Sequence, residues 1–156
     1  MIRTCAVLGH RDVVLTKELE NKLFQTCENL IRQGCECFYF GGFGDFDAIC
    51  HAAVSKLKAN YPRVKRIFCL SDPRHLRVNK RPKWLKKENY EEIIYLNLDF
   101  DWWYTRIYFR NCAMIDNSDA VLFYVEKLKK SGAYKAFEYA KKRKKEIINL
   151  MTSDCE

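Results

Sequence analysis

Short apolar runs alternate along the chain with segments in which apolar residues recur every three or four positions. The apolar runs have the length of strands and cover residues 2–9, 35–40, 64–70, 92–96, 120–125 and 146–150. The intervening spacing is that of helices that pack one face on a core. Because the short runs are mostly apolar, they predict strands buried on both faces, as in a mostly parallel sheet. We therefore predict one α/β domain over residues 1–156, a doubly wound sheet with helices on both faces.

Four segments are predicted to be helical. Thr16 can cap the first helix, whose apolar stripe runs from Leu19 to Ile31, and Gly34 stands where that helix should end. The second is predicted to begin near residues 45–47 and to end before Pro62, the third to cover about 102–117 and the fourth about 133–144.

Residues 71–92 form a long, basic segment that contains prolines. Connections of this length inside a domain are commonly lids or binding loops. Arg74, His75, Arg77 and Trp84 are candidates for closing over an anion, and a solvated loop is the alternative.

Three loops follow strands at the edge where such sheets bind ligands. Ligands bind outside the carboxyl ends of parallel strands, where the strand order reverses. The loops at residues 9–15, 41–47 and 126–133 follow three of the predicted strands. We expect them to meet and to form the binding site.

The glycine-rich turn in the second loop is the most informative local signal. The sequence FYFGGFGDFDAIC, residues 38–50, passes from a strand through Gly41, Gly42 and Gly44 into a helix. Glycine adopts positive φ easily and lets a ligand approach the main chain, and the free N–H groups of a helix start attract anions. The turn lacks the G-x-G-x-x-G spacing of dinucleotide-binding folds and the lysine of a P-loop, so its position is the signal. That position suits a phosphate or a ribose.

Asp45 and Asp47 flank the start of this helix. Either can be its N-cap, which is the commonest role for aspartate there. A carboxylate that does not cap is free to bind ribose hydroxyls or to act as a general base. Both are therefore candidate catalytic residues, and Asp47 is also a candidate ligand contact.

Gly9, His10 and Arg11 directly follow the first strand. They place a tight turn, an imidazole and a guanidinium at the ligand edge, and the planar fork of arginine can bind two phosphate oxygens. The alternatives are that Arg11 pairs with a carboxylate such as Asp12 and that His10 only hydrogen-bonds within the turn.

Two polar residues interrupt the apolar stripe of the third helix. Ile107, Asn111 and Ile115 stack at intervals of four, and Arg110 lies beside Ile107. A buried amide or guanidinium must find partners. Arg110 and Asn111 therefore indicate either a ligand pocket or hydrogen bonds to a neighbouring loop.

Two further groups are candidates for ligand contacts. Ser131 and Gly132 begin the fourth helix, where they either cap it or present N–H groups to a phosphate. Trp102, Trp103 and Tyr104 can stack on a base, although aromatic residues at a helix start more often belong to the core.

The charge balance favours an anionic partner. Lys and Arg number 28 against 20 Asp and Glu, which gives a net charge of +8. The basic run at residues 141–145 suits the last turn of a helix, whereas the run at 80–87 has no such explanation. The eight cysteines are expected to be small buried residues of a reducing compartment, and neither a metal nor a cofactor is predicted.

The sequence shows no targeting or membrane signal. The first residues lack the apolar stretch of a secretory signal, and no run of about 18 apolar residues indicates a membrane span. We therefore expect a cytosolic protein with no membrane partner.

Four motifs together resemble one protein superfamily. In chain order they are GHR, GGFGDFD, RNCAMIDNSDAVLFYV and SGAYKAFEYAKKRKKEIINL, which extend from Gly9 to Leu150. They are similar to the SLOG superfamily, particularly its DUF1273 and YpsA-like branch of small bacterial and phage proteins. The resemblance implies a Rossmann-like domain whose pocket accepts nucleotides or nucleotide-derived signals, and it implies self-association. Distant relatives would include Lonely Guy phosphoribohydrolases and DNA-processing protein A.

The chain departs from the Lonely Guy enzymes at their P-G-G-x-G-T-x-x-E motif. Phe40, Asp45 and Ala48 stand at the proline, threonine and glutamate positions. Asp47 instead matches the aspartate of a G-x-D pattern in the DUF1273 branch. The resemblance therefore implies binding more than hydrolysis.

Three functions follow from these observations. The favoured one is the binding of a phosphorylated, nucleotide-derived small molecule, such as an ADP-ribose-type or cyclic-nucleotide signal, which the protein senses or sequesters. The second is N-glycosidic hydrolysis of a nucleotide, with Asp45 or Asp47 as the carboxylate and Arg11 and Arg110 holding the phosphate. The third is binding of single-stranded nucleic acid through basic and aromatic residues.

Overall fold

The computed structural model describes residues 1–96, 105–126 and 130–151. The strands are β1 (Thr4–Gly9), β2 (Cys37–Phe40), β3 (Lys65–Cys69), β4 (Glu92–Ile94), β5 (Ala120–Tyr124) and β6 (Glu146–Asn149). The helices are α1 (Lys17–Arg32), α2 (Gly44–Leu57), α3 (Arg106–Asp116) and α4 (Gly132–Lys142). The strands form one sheet in the order β4-β3-β2-β1-β5-β6, and every neighbouring pair is parallel. The predicted α/β architecture is confirmed.

Local sequence signals explain where the elements begin and end. The hydroxyl oxygen of Thr16 accepts the N–H of Leu19 at 3.1 Å and so caps α1, as predicted. Gly34 follows that helix with a φ of 111°, a conformation that favours glycine. Trp102, Trp103 and Tyr104, at the predicted start of the third helix, lie outside the described residues.

The first strand shows how the sheet is buried on both faces. Cys5 and Val7 pack in the core cluster that contains the buried residues of α1 and α2. Ala6 and Leu8 point to the other face and pack in the cluster with α3 and α4. This alternation is why the central part of this strand is apolar at consecutive positions.

Most cysteines of the described chain are core residues with free thiols, namely Cys5, Cys27, Cys35, Cys50, Cys69 and Cys112. Burial raises the pKa of Cys27, Cys35 and Cys69 to about 12. These thiols therefore stay protonated and unreactive near neutral pH.

The basic segment at residues 71–92 is largely exposed, as the alternative of a solvated loop predicts, but it has local structure and one apolar anchor. It forms three short 3₁₀ turns, at Pro73–Leu76, Val78–Lys80 and Lys87–Asn89. Leu85 is buried against Phe68 and Leu70. The segment is therefore anchored to the sheet by apolar packing that its basic composition conceals.

None of the described helices is both long and apolar enough to cross a membrane.

The end of β1 requires glycine because of close packing. A Cβ on Gly9 would lie 2.3 Å from the ring of Phe46, which is fully buried, whereas a Cβ on Gly132 would meet nothing within 4 Å. We predict that Gly9→Ala lowers the free energy of unfolding by about 1–3 kcal/mol, because the core must shift. The matched variant Gly132→Ala should remain within about 0.5 kcal/mol of the wild type. Urea unfolding of the three proteins measures both values, and equal stability of the two variants would contradict this packing.

Candidate functional site

The three loops predicted to form the site meet at one cavity. It lies at the carboxyl edge of the sheet, next to the point where the strand order reverses: β2, β3 and β4 lie on one side of β1, and β5 and β6 lie on the other. Its volume is about 290 Å³. The predicted ligand contacts at its wall are Gly9, His10, Arg11, Gly41, Asp47, Arg110, Asn111, Ser131 and Gly132. Gly42, Gly44 and the catalytic candidate Asp45 do not line it.

Arg110 is the most constrained polar side chain at the cavity. It is only 2% exposed, and burial lowers its pKa. Its Nε donates to Oδ1 of Asn111 at 3.1 Å, and its Nη1 donates to the carbonyl oxygens of Gly41 at 2.9 Å and Cys69 at 3.3 Å. These bonds fasten α3 to the ends of β2 and β3. The predicted bonding to a neighbouring loop is therefore present.

The Nη2 group of Arg110 has no hydrogen-bond acceptor among the described residues. Every fully buried side-chain nitrogen or oxygen in that part of the chain has a partner, so Nη2 must keep accessible surface. Arg110 also lines the cavity. Two N–H donors of a buried cation are thus available to a ligand.

The space beside the glycines of the second loop is filled by the protein itself. Gly42 and Gly44 have positive φ values of 75° and 86°. A Cβ on Gly41 would lie 2.7 Å from Cζ of Arg110. A Cβ on Gly42 would lie 2.4 Å from the Phe68 ring, and one on Gly44 would lie 2.5 Å from Cα of Arg11. The expected room for a ligand is therefore not found at Gly42 and Gly44, because these glycines let the chain pack closely on itself.

Three main-chain N–H groups of this turn, those of Gly41, Gly42 and Asp45, have acceptors within the protein. Oδ1 of Asp47 accepts the N–H of Gly41 at 3.0 Å, and its carboxylate also accepts the N–H of Gly42. The N–H of Asp45 donates to the carbonyl oxygen of Arg11 at 2.7 Å. These three N–H groups are therefore not offered to a ligand, because an internal carboxylate and a carbonyl oxygen accept them.

Neither aspartate is the N-cap of α2. The cap position is occupied by Phe43, which makes no side-chain cap hydrogen bond. Oδ2 of Asp45 accepts the N–H of Val13 at 3.0 Å and ties the glycine turn to the loop after β1. Asp45 therefore positions two loops, and only Asp47 of the two catalytic candidates reaches the cavity.

The environment of Asp47 shifts its titration. Burial raises the pKa of Asp47 to about 6, although the N–H groups of Gly42 and Gly41 and the charge of Arg110 oppose the shift. The cavity wall therefore contains a carboxyl group that changes charge near neutral pH.

Arg11 and Phe43 form the mouth of the cavity. Arg11 is exposed, and Phe43 is 42% exposed. Cζ of Arg11 lies 5.7 Å from the centre of the Phe43 ring and Cζ of Arg110 lies 5.8 Å from it, so two guanidinium groups flank one ring. Arg11 forms no ion pair within the described residues, and the alternative pairing with Asp12 is not found.

His10 and Ser131 are joined by hydrogen bonds on the opposite wall. Nε2 of His10 accepts the N–H of Glu126 at 2.8 Å, and Nδ1 lies 3.2 Å from Oγ of Ser131. Oγ of Ser131 also accepts the N–H of Tyr134 at 3.2 Å and caps α4. The hydrogen-bonding roles predicted as alternatives for both residues are present, and both residues still line the cavity.

The basic segment at residues 71–92 contributes nothing to the cavity wall. Two of its candidate residues lie beside Asp72 instead: Nη2 of Arg74 is 2.7 Å and Nε2 of His75 is 3.8 Å from Oδ2 of Asp72. In the described ranges, no three His, Cys, Asp or Glu side chains are grouped as metal ligands would be.

Sequence reasoning did not assign Asp12, Phe43 or Ile107 to the cavity wall. Only Phe43 carries a signal that could have identified it. It is an apolar residue between two glycines in a loop, and a loop offers no core to bury such a side chain.

The pKa of Asp47 predicts a pH-dependent stability. A folded-state value near 6, above the ordinary 3.8, means that the folded protein holds this proton more tightly than the unfolded chain does. The associated stability is complete below about pH 4 and is lost as the pH rises through about 6, with a size on the order of 2–3 kcal/mol. Asp47→Asn does not titrate, so the stability of the wild type relative to this variant should fall between pH 4 and pH 7 in urea unfolding. Parallel pH profiles of the two proteins would contradict the assignment.

No protein-family model and no curated protein matches the chain. Among solved structures, its fold is similar to that of TM1055, a structural genomics target, with a TM-score of 0.62 and 16% identity over 96% of this chain and 75% of that chain. It is also similar to DNA processing protein A from Helicobacter pylori, described by its single-stranded DNA binding mode, with a TM-score of 0.64 and 19% identity over 99% of this chain and 67% of that chain. At these identities the likeness shows the fold alone. The chain thus has a Rossmann-like α/β fold, which is consistent with the SLOG resemblance.

Proposed function

We propose that the protein binds a phosphorylated, nucleotide-derived small molecule in this cavity and thereby senses or sequesters it. The observation that carries the proposal is the Nη2 group of Arg110, a donor on a buried cation without a partner among the described residues. Burying a charged group is costly unless it is paired, and an apolar side chain would fill the same place at a lower cost. An anionic ligand supplies the missing partner.

The cavity suits a phosphate and a sugar better than a complete dinucleotide. Its volume of about 290 Å³ lies at the lower end of the range for small-molecule pockets. Arg11 and Arg110 lie where they can bind phosphate oxygens, and the exposed ring of Phe43 offers an apolar surface on which a nucleobase can pack at the mouth. The carboxylate of Asp12, also at the wall, can accept hydrogen bonds from ribose hydroxyls.

Binding is favoured over hydrolysis because of the position of Asp47. Its carboxylate accepts two main-chain N–H groups, which hold it against the glycine turn. A pKa near 6 is nevertheless useful for acid–base chemistry, so N-glycosidic cleavage is the alternative reaction at this cavity.

The sequence resemblance supports the same class of ligand. Members of the SLOG superfamily are expected to bind nucleotides or their derivatives, and four motifs of this chain resemble its DUF1273 and YpsA-like branch. As part of this proposal we assign the chain to that branch. The proposal also includes self-association of the protein and a cytosolic location.

Calorimetry with ADP-ribose, cyclic dinucleotides and nucleoside monophosphates tests the proposal. We predict micromolar binding of at least one of them and a loss of about tenfold or more in Arg11→Gln, because charge-assisted hydrogen bonds to the phosphate are removed. Arg63→Gln is the matched control. It makes the same change of charge at an exposed site before β3, at the opposite edge of the sheet, and should bind like the wild type.

Two results would count against this proposal. One is the absence of micromolar binding for every ligand, and the other is an equal loss in Arg63→Gln, which would indicate attraction by net charge alone. Chromatography of the same mixtures separates binding from hydrolysis. We expect intact nucleotides, whereas release of a free base that stops in Asp47→Asn would establish the hydrolase.

Binding of single-stranded nucleic acid is the second candidate function. It is favoured by Trp84, which is 57% exposed on the basic segment between Lys83 and Lys86, and by the fold shared with a protein that binds single-stranded DNA. Stacking on an aromatic residue beside cations is the usual mode for such ligands. If this function is present, oligothymidylate will bind with a strong salt dependence and Trp84→Ala will weaken it. If binding is undetectable at low salt, this candidate is excluded.

A further inference from the structure

We propose that the hydroxyl group of Ser131 is a fixed hydrogen-bond donor directed into the cavity, and that it forms, with the first N–H groups of α4, a subsite for the terminal phosphate of a monoester. The inference rests on the proposed function and names the chemical class of the ligand: a nucleotide with a phosphomonoester end, preferred over a phosphodiester.

The protonation of His10 follows from its main-chain partner. Glu126 donates its N–H to Nε2 of His10 at 2.8 Å, so Nε2 carries a lone pair and the ring proton lies on Nδ1. Nδ1 lies 3.2 Å from Oγ of Ser131. His10 therefore donates and Ser131 accepts.

Both lone pairs of the Ser131 oxygen are then occupied. Besides the Nδ1–H of His10, Oγ accepts the N–H of Tyr134 at 3.2 Å. A hydroxyl group has two acceptor sites and one donor, so the remaining function of Ser131 is to donate its proton. No acceptor for that proton is present among the described residues, and Ser131 lines the cavity.

The neighbouring groups at this wall are also donors. Gly132 and Ala133 line the same cavity, and the first N–H groups of a helix have no acceptor within the helix. The buried guanidinium of Arg110 keeps Nη2 available to the same cavity, which is an independent sign of an anionic ligand.

The donors of this subsite select the group that they bind, whereas the carboxyl groups at the cavity wall, Asp12 and Asp47, belong to the loop after β1 and to the first turn of α2. A phosphomonoester presents three terminal oxygens and carries up to two negative charges, so every donor can be satisfied. A phosphodiester presents two such oxygens and one charge, and its second ester group must be accommodated among donors that it cannot satisfy. The subsite should therefore favour 5′-AMP over 3′,5′-cyclic AMP.

The test is calorimetry of the wild type, Ser131→Ala, Thr16→Ala and Arg11→Gln with these two nucleotides. We expect the wild type to bind 5′-AMP more tightly, and Ser131→Ala to lose about tenfold in 5′-AMP affinity with a much smaller loss for cyclic AMP. Thr16→Ala is the matched control, since it removes the same kind of hydroxyl cap from α1, away from the cavity, and should keep both affinities.

A second measurement covers the case in which Ser131→Ala does not fold. In the ¹⁵N-labelled wild type, inorganic phosphate should shift the amide resonances of Gly132 and Ala133 and leave that of Leu19, at the start of α1, unchanged. Unmoved Gly132 and Ala133 resonances would overturn the inference.

The outcomes separate the two levels of the proposal. If Arg11→Gln weakens 5′-AMP binding and Ser131→Ala does not, the subsite is wrong and the proposed function stands. If the wild type binds neither nucleotide nor any other tested one, the proposed function fails and this inference fails with it.

Discussion

The structure depends on how one buried guanidinium is accommodated. Nη1 of Arg110 donates to the carbonyl oxygens of Gly41 and Cys69. Gly41 directly follows β2, and Cys69 is the last residue of the neighbouring strand β3, so a side chain of α3 holds the carboxyl edge of the sheet together. The arrangement also determines the sequence around it. A Cβ at position 41 would lie 2.7 Å from Cζ of Arg110, and Asp47 supplies a nearby negative charge. Among the described residues Nη2 has no acceptor, and Arg110 lines the cavity.

Much of the fold could be predicted from the sequence because its causes are local or periodic. Strands buried on both faces are mostly apolar, and the predicted apolar stripe of α1 is buried from Leu19 to Leu30, with Ile31 half-buried. The meeting of three loops at one cavity was also predictable, since parallel topology places their strand ends at one edge. The cap at Thr16 and the stop at Gly34 follow from neighbouring residues alone.

The rest depends on contacts between residues far apart in the chain. Arg110 and Gly41 are 69 positions apart, so no local pattern reveals that the glycine makes room for a guanidinium and not for a ligand. For the same reason the sequence could not show that Asp47 takes the amides of Gly41 and Gly42. Three of the N–H groups expected to face a ligand at the glycine turn are thus taken by the protein itself. The fold is similar to that of a protein described by its single-stranded DNA binding mode. Because one fold supports many functions, the function of this chain has to be argued from its site.

The most direct test is a crystal structure of the protein with bound 5′-AMP. The account predicts phosphate oxygens at hydrogen-bond distance, about 3 Å, from Nη2 of Arg110 and from the guanidinium of Arg11. It would be contradicted if Nη2 bonded to an acceptor of the protein itself and the ligand lay outside the cavity, for example on the basic segment at residues 71–92.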